Sequence, residues 1–236
     1  MTKLVVTVFL LVSGVVSGQS VTGTSGLIHI PSARMLEDGQ FVLGAAYIPK
    51  PYFQRYDRRI NPGLNTYITV GFFPFIEVMF RYTHELNVPV NPETKYFPDR
   101  MFTIRGRLLK EKKYLPAIVI GLQDASAIFG ETILAATNYS AIYFVGSKNI
   151  KSDYGNFDLS MGYTFDYKEL KAKEYKGVFG GISFSPNFYE NASFLFEHNS
   201  KGFNSGIRWI AFKRFNLMIG VWNLDKTTFS LNYLFN

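Results

Sequence analysis

No cysteine occurs in the 236-residue chain, so a disulfide framework, a thiolate metal site and a lipobox are all excluded. Long apolar runs are scarce as well. The longest, Leu4 to Val16, is too short and too poorly flanked to cross a bilayer as a helix, which takes about 18 or more apolar residues. With Lys3 before it and Val16-Ser17-Gly18 after it, this run reads as a cleaved export leader over residues 1–18. Nothing later in the chain is long and apolar enough for a spanning helix. Histidine is equally sparse: His29, His84 and His198 stand apart, with no metal-ligand spacing to one another or to carboxylates. No cofactor motif is present, and no cofactor is expected.

Aromatic residues, by contrast, are abundant: 23 Phe and 15 Tyr help bring the aromatic content to 17%. An exported chain without a helical anchor is either a soluble secreted protein or a membrane barrel. Lipid-facing walls and their interfacial girdles use aromatics heavily, which favours the barrel. The formal charge falls by one, from +7 to +6, when Lys3 leaves with the leader. A basic excess suits nucleic acid, anionic lipid headgroups or an acidic polysaccharide, and export makes nucleic acid an unsuitable partner.

Beyond residue 39 the chain alternates. In Phe157-Asp158-Leu159-Ser160-Met161-Gly162-Tyr163-Thr164-Phe165 every odd position is large and apolar and every even one small or polar. Such a strand has one apolar and one polar face. Twelve candidate strands follow, at about 40–48, 66–73, 76–83, 101–109, 116–123, 138–147, 156–165, 177–185, 192–198, 204–212, 215–222 and 227–235. The expected fold is an all-β single antiparallel transmembrane β-barrel over residues 40–236, with the even strand count of a bacterial outer-membrane barrel. In the first half of the chain odd-numbered connections are plainly longer than even ones, which predicts short periplasmic turns, longer outer loops and both termini in the periplasm. A soluble sandwich or lipocalin-like barrel alternates too, but would not give its larger aromatics to the solvent side.

With the bulky apolar positions outward, Glu77, Arg81, Arg105, Arg107, Asp158, Glu197 and Arg208 point inward. Buried charges must pair or be hydrated. Two readings stay open: a salt-bridged lumen that braces the wall and blocks flow, or a narrow polar path on which Arg105, Arg107 and Arg208 guide an anionic glycan. Residues 19–39 precede the first confident strand. Leu27 to Ile30 is either a short strand hairpinned to residues 40–48 or a plug folded inward, with Glu37-Asp38-Gly39 as the turn. In the first long loop Arg55, Tyr56, Arg58 and Arg59 set guanidinium beside an aromatic, a combination suited to glycan acids. The charge-rich stretch 169–176 reads as a solvated loop, with sugar or phosphate binding as the alternative.

Gly26-Leu27-Ile28 with Pro31-Ser32-Ala33-Arg34-Met35 and Asp38-Gly39 resembles the N-terminal signature of the YjbH (GfcD-like) family of outer-membrane proteins linked to exopolysaccharide and capsule production. Gly121-Leu122-Gln123-Asp124, Gly146-Ser147-Lys148, Phe157-Asp158 and Gly162 are similar to its central block. Gly180-Gly181-Ile182-Ser183-Phe184, Phe196-Glu197-His198-Asn199 and Asn204-Ser205-Gly206-Ile207-Arg208 are similar to its closing elements. The resemblance runs from residue 26 to residue 235. Tyr139-Ser140-Ala141 departs from an acidic-aromatic pair, and His198 stands where Tyr is usual. The resemblance implies an outer-membrane accessory in the secretion or assembly of exopolysaccharide or capsule, working against outer-membrane lipid, with an anionic polysaccharide and polysaccharide-export proteins as partners. The chain is far shorter than the two-barrel members, which implies an export partner that those members carry internally.

The contrasting reading is a lipid-modifying barrel enzyme, phospholipase-like, with His198 as base and Ser200 as nucleophile. Their spacing allows a shared face, but only Asn204 offers itself as a third member. No catalytic residue is therefore assigned. A purely structural or adhesive barrel is the remaining alternative. Gly180-Gly181 lies within a strand, where it signals a bend or a close backbone approach.

Overall fold

The computed structural model describes residues 18–50, 52, 61–87, 99–125, 140–165 and 175–236. Most of the leader, Arg55, Tyr56, Arg58 and Arg59, and residues 169–174 of the charge-rich stretch lie outside the described residues. The strands are β1 (Phe41–Ile48), β2 (Gly63–Phe72), β3 (Ile76–Glu85), β4 (Asp99–Leu109), β5 (Ala117–Gln123), β6 (Ala141–Lys151), β7 (Gly155–Phe165), β8 (Gly177–Pro186), β9 (Ala192–His198), β10 (Phe203–Ala211), β11 (Phe215–Trp222) and β12 (Lys226–Phe235).

They form one closed antiparallel barrel in which each strand pairs with its sequence neighbours. Closure comes from β1 on β12, with Phe41 opposite Phe235 and Tyr47 opposite Phe229. Both of these aromatic pairs stack, at centroid separations of 4.5 and 5.1 Å. A closed wall leaves no unpaired strand edge, which is the condition for crossing a hydrocarbon layer with strands.

The alternation has a direct structural result. Leu159, Met161, Tyr163 and Phe165 of β7 face outward, while Ser160 and Thr164 are buried inside. The same holds in β11, where Phe215, Leu217 and Ile219 are exposed and Asn216 and Met218 buried. Contiguous apolar surface of this extent is unusual on a soluble monomer.

Some boundaries differ from the sequence reading. β6 runs on to Lys151 because Lys148, Asn149, Ile150 and Lys151 pair with Leu159, Asp158, Phe157 and Asn156 of β7. Backbone pairing needs no apolar side chain, so alternation underestimates a strand end that stands clear of the wall's apolar band. β2 begins at Gly63 for the same reason, paired to Glu85.

Even-numbered connections, such as 73–75, 152–154 and 212–214, gather at one end of the barrel, here the turn end; odd-numbered ones form the loop end. β1 is paired on both edges, to β12 and to β2, so residues 27–30 add no strand to it. Instead residues 19–33 fill the lumen, where Val21, Leu27, Ile28, His29 and Ile30 are all buried. Here this segment is called the plug. It leaves the lumen at the turn end through Glu37-Asp38-Gly39, where Gly39 has φ +80° and its N–H bonds to the Gly71 carbonyl.

Candidate functional site

The lumen is the one place where buried charge, plug and wall meet. Two apolar clusters position the plug. Ile28 and Val21 pack with Tyr67, Met79, Met101, Leu195, Met218 and Trp222. Leu27, Ile30, Ala33 and Met35 pack with Val119, Tyr143, Val145, Tyr175 and Phe179. Gly181 of β8 makes room for this: a Cβ there would stand 2.7 Å from Leu27 Cδ2 and 2.7 Å from Glu197 Cβ. The close backbone approach expected of Gly180-Gly181 is thus made by its second glycine.

Between the clusters, charged wall side chains bind the plug's main chain. In the turn half, Glu77 accepts from the Ser25 hydroxyl at 2.7 Å, the Ser25 N–H at 3.4 Å and the Leu36 N–H at 3.0 Å. Arg105 pairs with Glu77 at 2.6 Å, and neither side chain has any exposed surface. The same guanidinium donates to the carbonyls of Ser25, Ser32 and Arg34.

Nearer the loop end, Glu197 accepts from three successive plug N–H groups, Ile28 at 2.9 Å, His29 at 2.8 Å and Ile30 at 3.4 Å, and from the Asn204 amide at 2.7 Å. From the turn half of β10, opposite Ser193 and Met218, Arg208 Nη2 donates to the carbonyls of Gln19, Gly26 and Leu27 at 3.2, 2.9 and 2.8 Å. Uncharged wall groups act alike: Asn65 donates to the Val21 carbonyl, Thr69 to that of Gly23, and Ser147 accepts from the Ala33 N–H. An irregular buried segment has backbone groups that no ladder satisfies. Here the plug's own turns satisfy some, such as the Val21 N–H on the Ile28 carbonyl, and the wall satisfies others.

At the turn-end rim, Arg34 pairs with Asp158 and Glu111, each at 2.5 Å, and Lys148 with Glu111 at 2.9 Å. Burial raises the Glu111 carboxyl, but hydrogen bonds from Lys148, Arg34 and the Asn149 N–H outweigh it and hold it below its ordinary value.

The residues singled out from sequence therefore fall into separate places. Glu77 and Arg105 form one buried unit, Glu197 grips the plug near the loop end, Arg208 grips it from the turn half of β10, and Asp158 belongs to the rim. Arg81 is buried and faces Asp99 at 3.6 Å. Arg107 departs from the expectation. It keeps its register opposite the buried Val119, but it lies just past the last β3–β4 pair, Ile76 with Gly106, and there its guanidinium bonds to the Pro74 carbonyl at the turn end instead of joining the buried network. No continuous arginine path results, since Arg105 and Arg208 are both engaged with the plug. Arg34, Ser25 and Glu111 were missed as network members. Arg34 carried a signal, being a lone charge in an otherwise uncharged stretch from Gln19 to Leu36 apart from His29.

The histidines occupy unrelated surroundings. His29 lies against Trp222, with centroids 4.4 Å apart, and edge-on to Tyr175 at 5.6 Å. His84 packs on Tyr82 and His198 on Phe203. Ser200 accepts from the Lys176 N–H at 2.7 Å, and its hydroxyl is not hydrogen-bonded to His198. Among the described residues no three of His, Cys, Asp and Glu gather as metal ligands would.

Comparison with known proteins adds two findings. The YjbH family model, described as "Exopolysaccharide biosynthesis protein YbjH", matches residues 18–221. A protein of Escherichia coli (strain K12), "Uncharacterized lipoprotein YjbH", is 28% identical over 154 residues. That match covers 63% of this chain and 19% of the relative, so the chain spans about a fifth of the relative's length.

Proposed function

This chain belongs to the YjbH family, and on that premise we propose that it is a bacterial outer-membrane β-barrel, non-enzymatic, that assists the secretion or assembly of exopolysaccharide or capsule. The family's link to exopolysaccharide biosynthesis supports the process. The outward apolar face and closed wall support the membrane setting.

The observation that carries the accessory role is the filled lumen. A conduit for a charged polymer needs arginines free to meet it, whereas Arg105 and Arg208 donate to plug carbonyls and to Glu77. In this reading the polymer passes through or past a separate export partner. The barrel offers its outer loops, with Arg55, Tyr56, Arg58 and Arg59 as the anionic-glycan contacts, and a rigid braced body. Deleting the gene should lower surface polysaccharide and leave membrane lipid composition unchanged. Surface polysaccharide at the parental level in the deletion strain would refute the role.

A further inference from the structure

Every connection at the turn end exposes an aromatic side chain to solvent. Phe73 and Phe75 lie in the connection between β2 and β3, and Tyr114 in that between β4 and β5, at 83% exposure. Tyr154, Phe188 and Phe212 complete the set, exposed by 80%, 89% and 87%. Two of them sit where a Cβ is sterically disfavoured, Phe73 at φ +56° and Phe212 at φ +52°. Glycine or asparagine relieves such positions in other hairpins. A large apolar ring that is both strained and held in water gains nothing from the fold itself.

The short connections at the loop end differ. The two described, 199–202 and 223–225, hold Asn, Ser, Lys, Gly, Leu and Asp and no aromatic. Two of the turn-end connections are also basic. Lys112 and Lys113 precede Tyr114, with Lys113 Nζ 5.2 Å from the Tyr114 ring centre, and Lys213 and Arg214 follow Phe212. In the barrel order, the β4–β5 and β10–β11 connections lie on opposite sides of the wall.

We infer that the turn end is a lipid-binding collar: its aromatic tips insert into the headgroup layer of a phospholipid leaflet, and the two opposed basic turns bind anionic phospholipid headgroups. Aromatic rings favour the boundary between hydrocarbon and water, and cations beside them meet phosphate. The inference rests on the membrane reading above and assigns the turn end, independently of loop length, to the phospholipid-facing side.

The cysteine-free chain allows a direct test. Full-length Phe188→Cys and Leu224→Cys variants, each labelled with an environment-sensitive dye, are folded into phosphatidylcholine vesicles with and without phosphatidylglycerol. The dye at position 188 should be quenched by lipids spin-labelled near the headgroup and shielded from aqueous iodide, and the dye at 224 should not. Spin-labelled phosphatidylglycerol should be preferred over phosphatidylcholine around the wild-type barrel. Combined Lys112→Gln, Lys113→Gln, Lys213→Gln and Arg214→Gln should bring that preference down to parity. Equal iodide access at both sites, or an unchanged preference in the quadruple variant, would overturn the collar while leaving the membrane reading standing. A protein that floats with neither vesicle would overturn both.

Discussion

Glu77 and Glu197 share one lumen and are equally shielded from water, yet their charges are met differently. Glu77 has a guanidinium partner in the wall, Arg105, besides its bonds to Ser25 and Leu36. Glu197 is held by backbone N–H groups of Ile28, His29 and Ile30 and by the Asn204 amide. Remove the plug, and the first carboxylate keeps its counter-ion while the second keeps one amide. Glu77 thus belongs to a brace that happens to touch the plug, and Glu197 to a grip that exists only with it.

The largest effect should follow deletion of residues 19–36. Arg208 and Glu197 lose their plug partners together, and planar-bilayer recordings should change from a silent barrel to a steady conductance. A silent deletion variant would mean that something other than the plug closes the lumen. Next comes Arg105→Met, which strands the Glu77 charge and should cost about 3–5 kcal/mol, read from urea unfolding in micelles. In the deletion background water reaches Glu77, so the loss should shrink but stay measurable, because both partners belong to the wall.

Glu197→Gln should cost less in the intact chain, about 1–3 kcal/mol, since an amide group turned toward the plug's N–H groups loses acceptors. In the deletion background the same substitution should cost nothing or stabilise. Equal costs in both backgrounds would erase the distinction between brace and grip.

The smallest effect belongs to the rim. Glu111 has a folded pKa below its unfolded value, so its contribution is fully present above the unfolded pKa of about 4.5 and is lost as pH falls through the lower folded value. Because the cluster is partly exposed, Glu111→Gln should remove about 0.2–1 kcal/mol at neutral pH and flatten the acid limb of stability against pH.

The wall was legible in the sequence because its two faces meet different media, and period-two alternation reports that contrast at every strand position. Phe157 to Phe165 shows it without ambiguity. The lumen was legible as a list of inward charges and, as one of two alternatives, a plug over Leu27 to Ile30. Those charges find their partners in a segment with no periodicity of its own, and they bind its backbone, which looks the same for every residue. Nothing in the letters around Glu197 names Ile28, His29 and Ile30, some 170 positions away, as its donors. Arg107 failed for a different reason: alternation tells which face a side chain takes but not how near it stands to the end of the wall, where Arg107 reaches the Pro74 carbonyl.

The seam between β1 and β12 joins the two ends of the barrel sequence. The wall therefore cannot become a cylinder until its final strand has been made, whereas residues 19–33 are synthesised first, before any interior exists to receive them. Until barrel and segment come together, Glu197 and Arg208 lack the main chain that satisfies them.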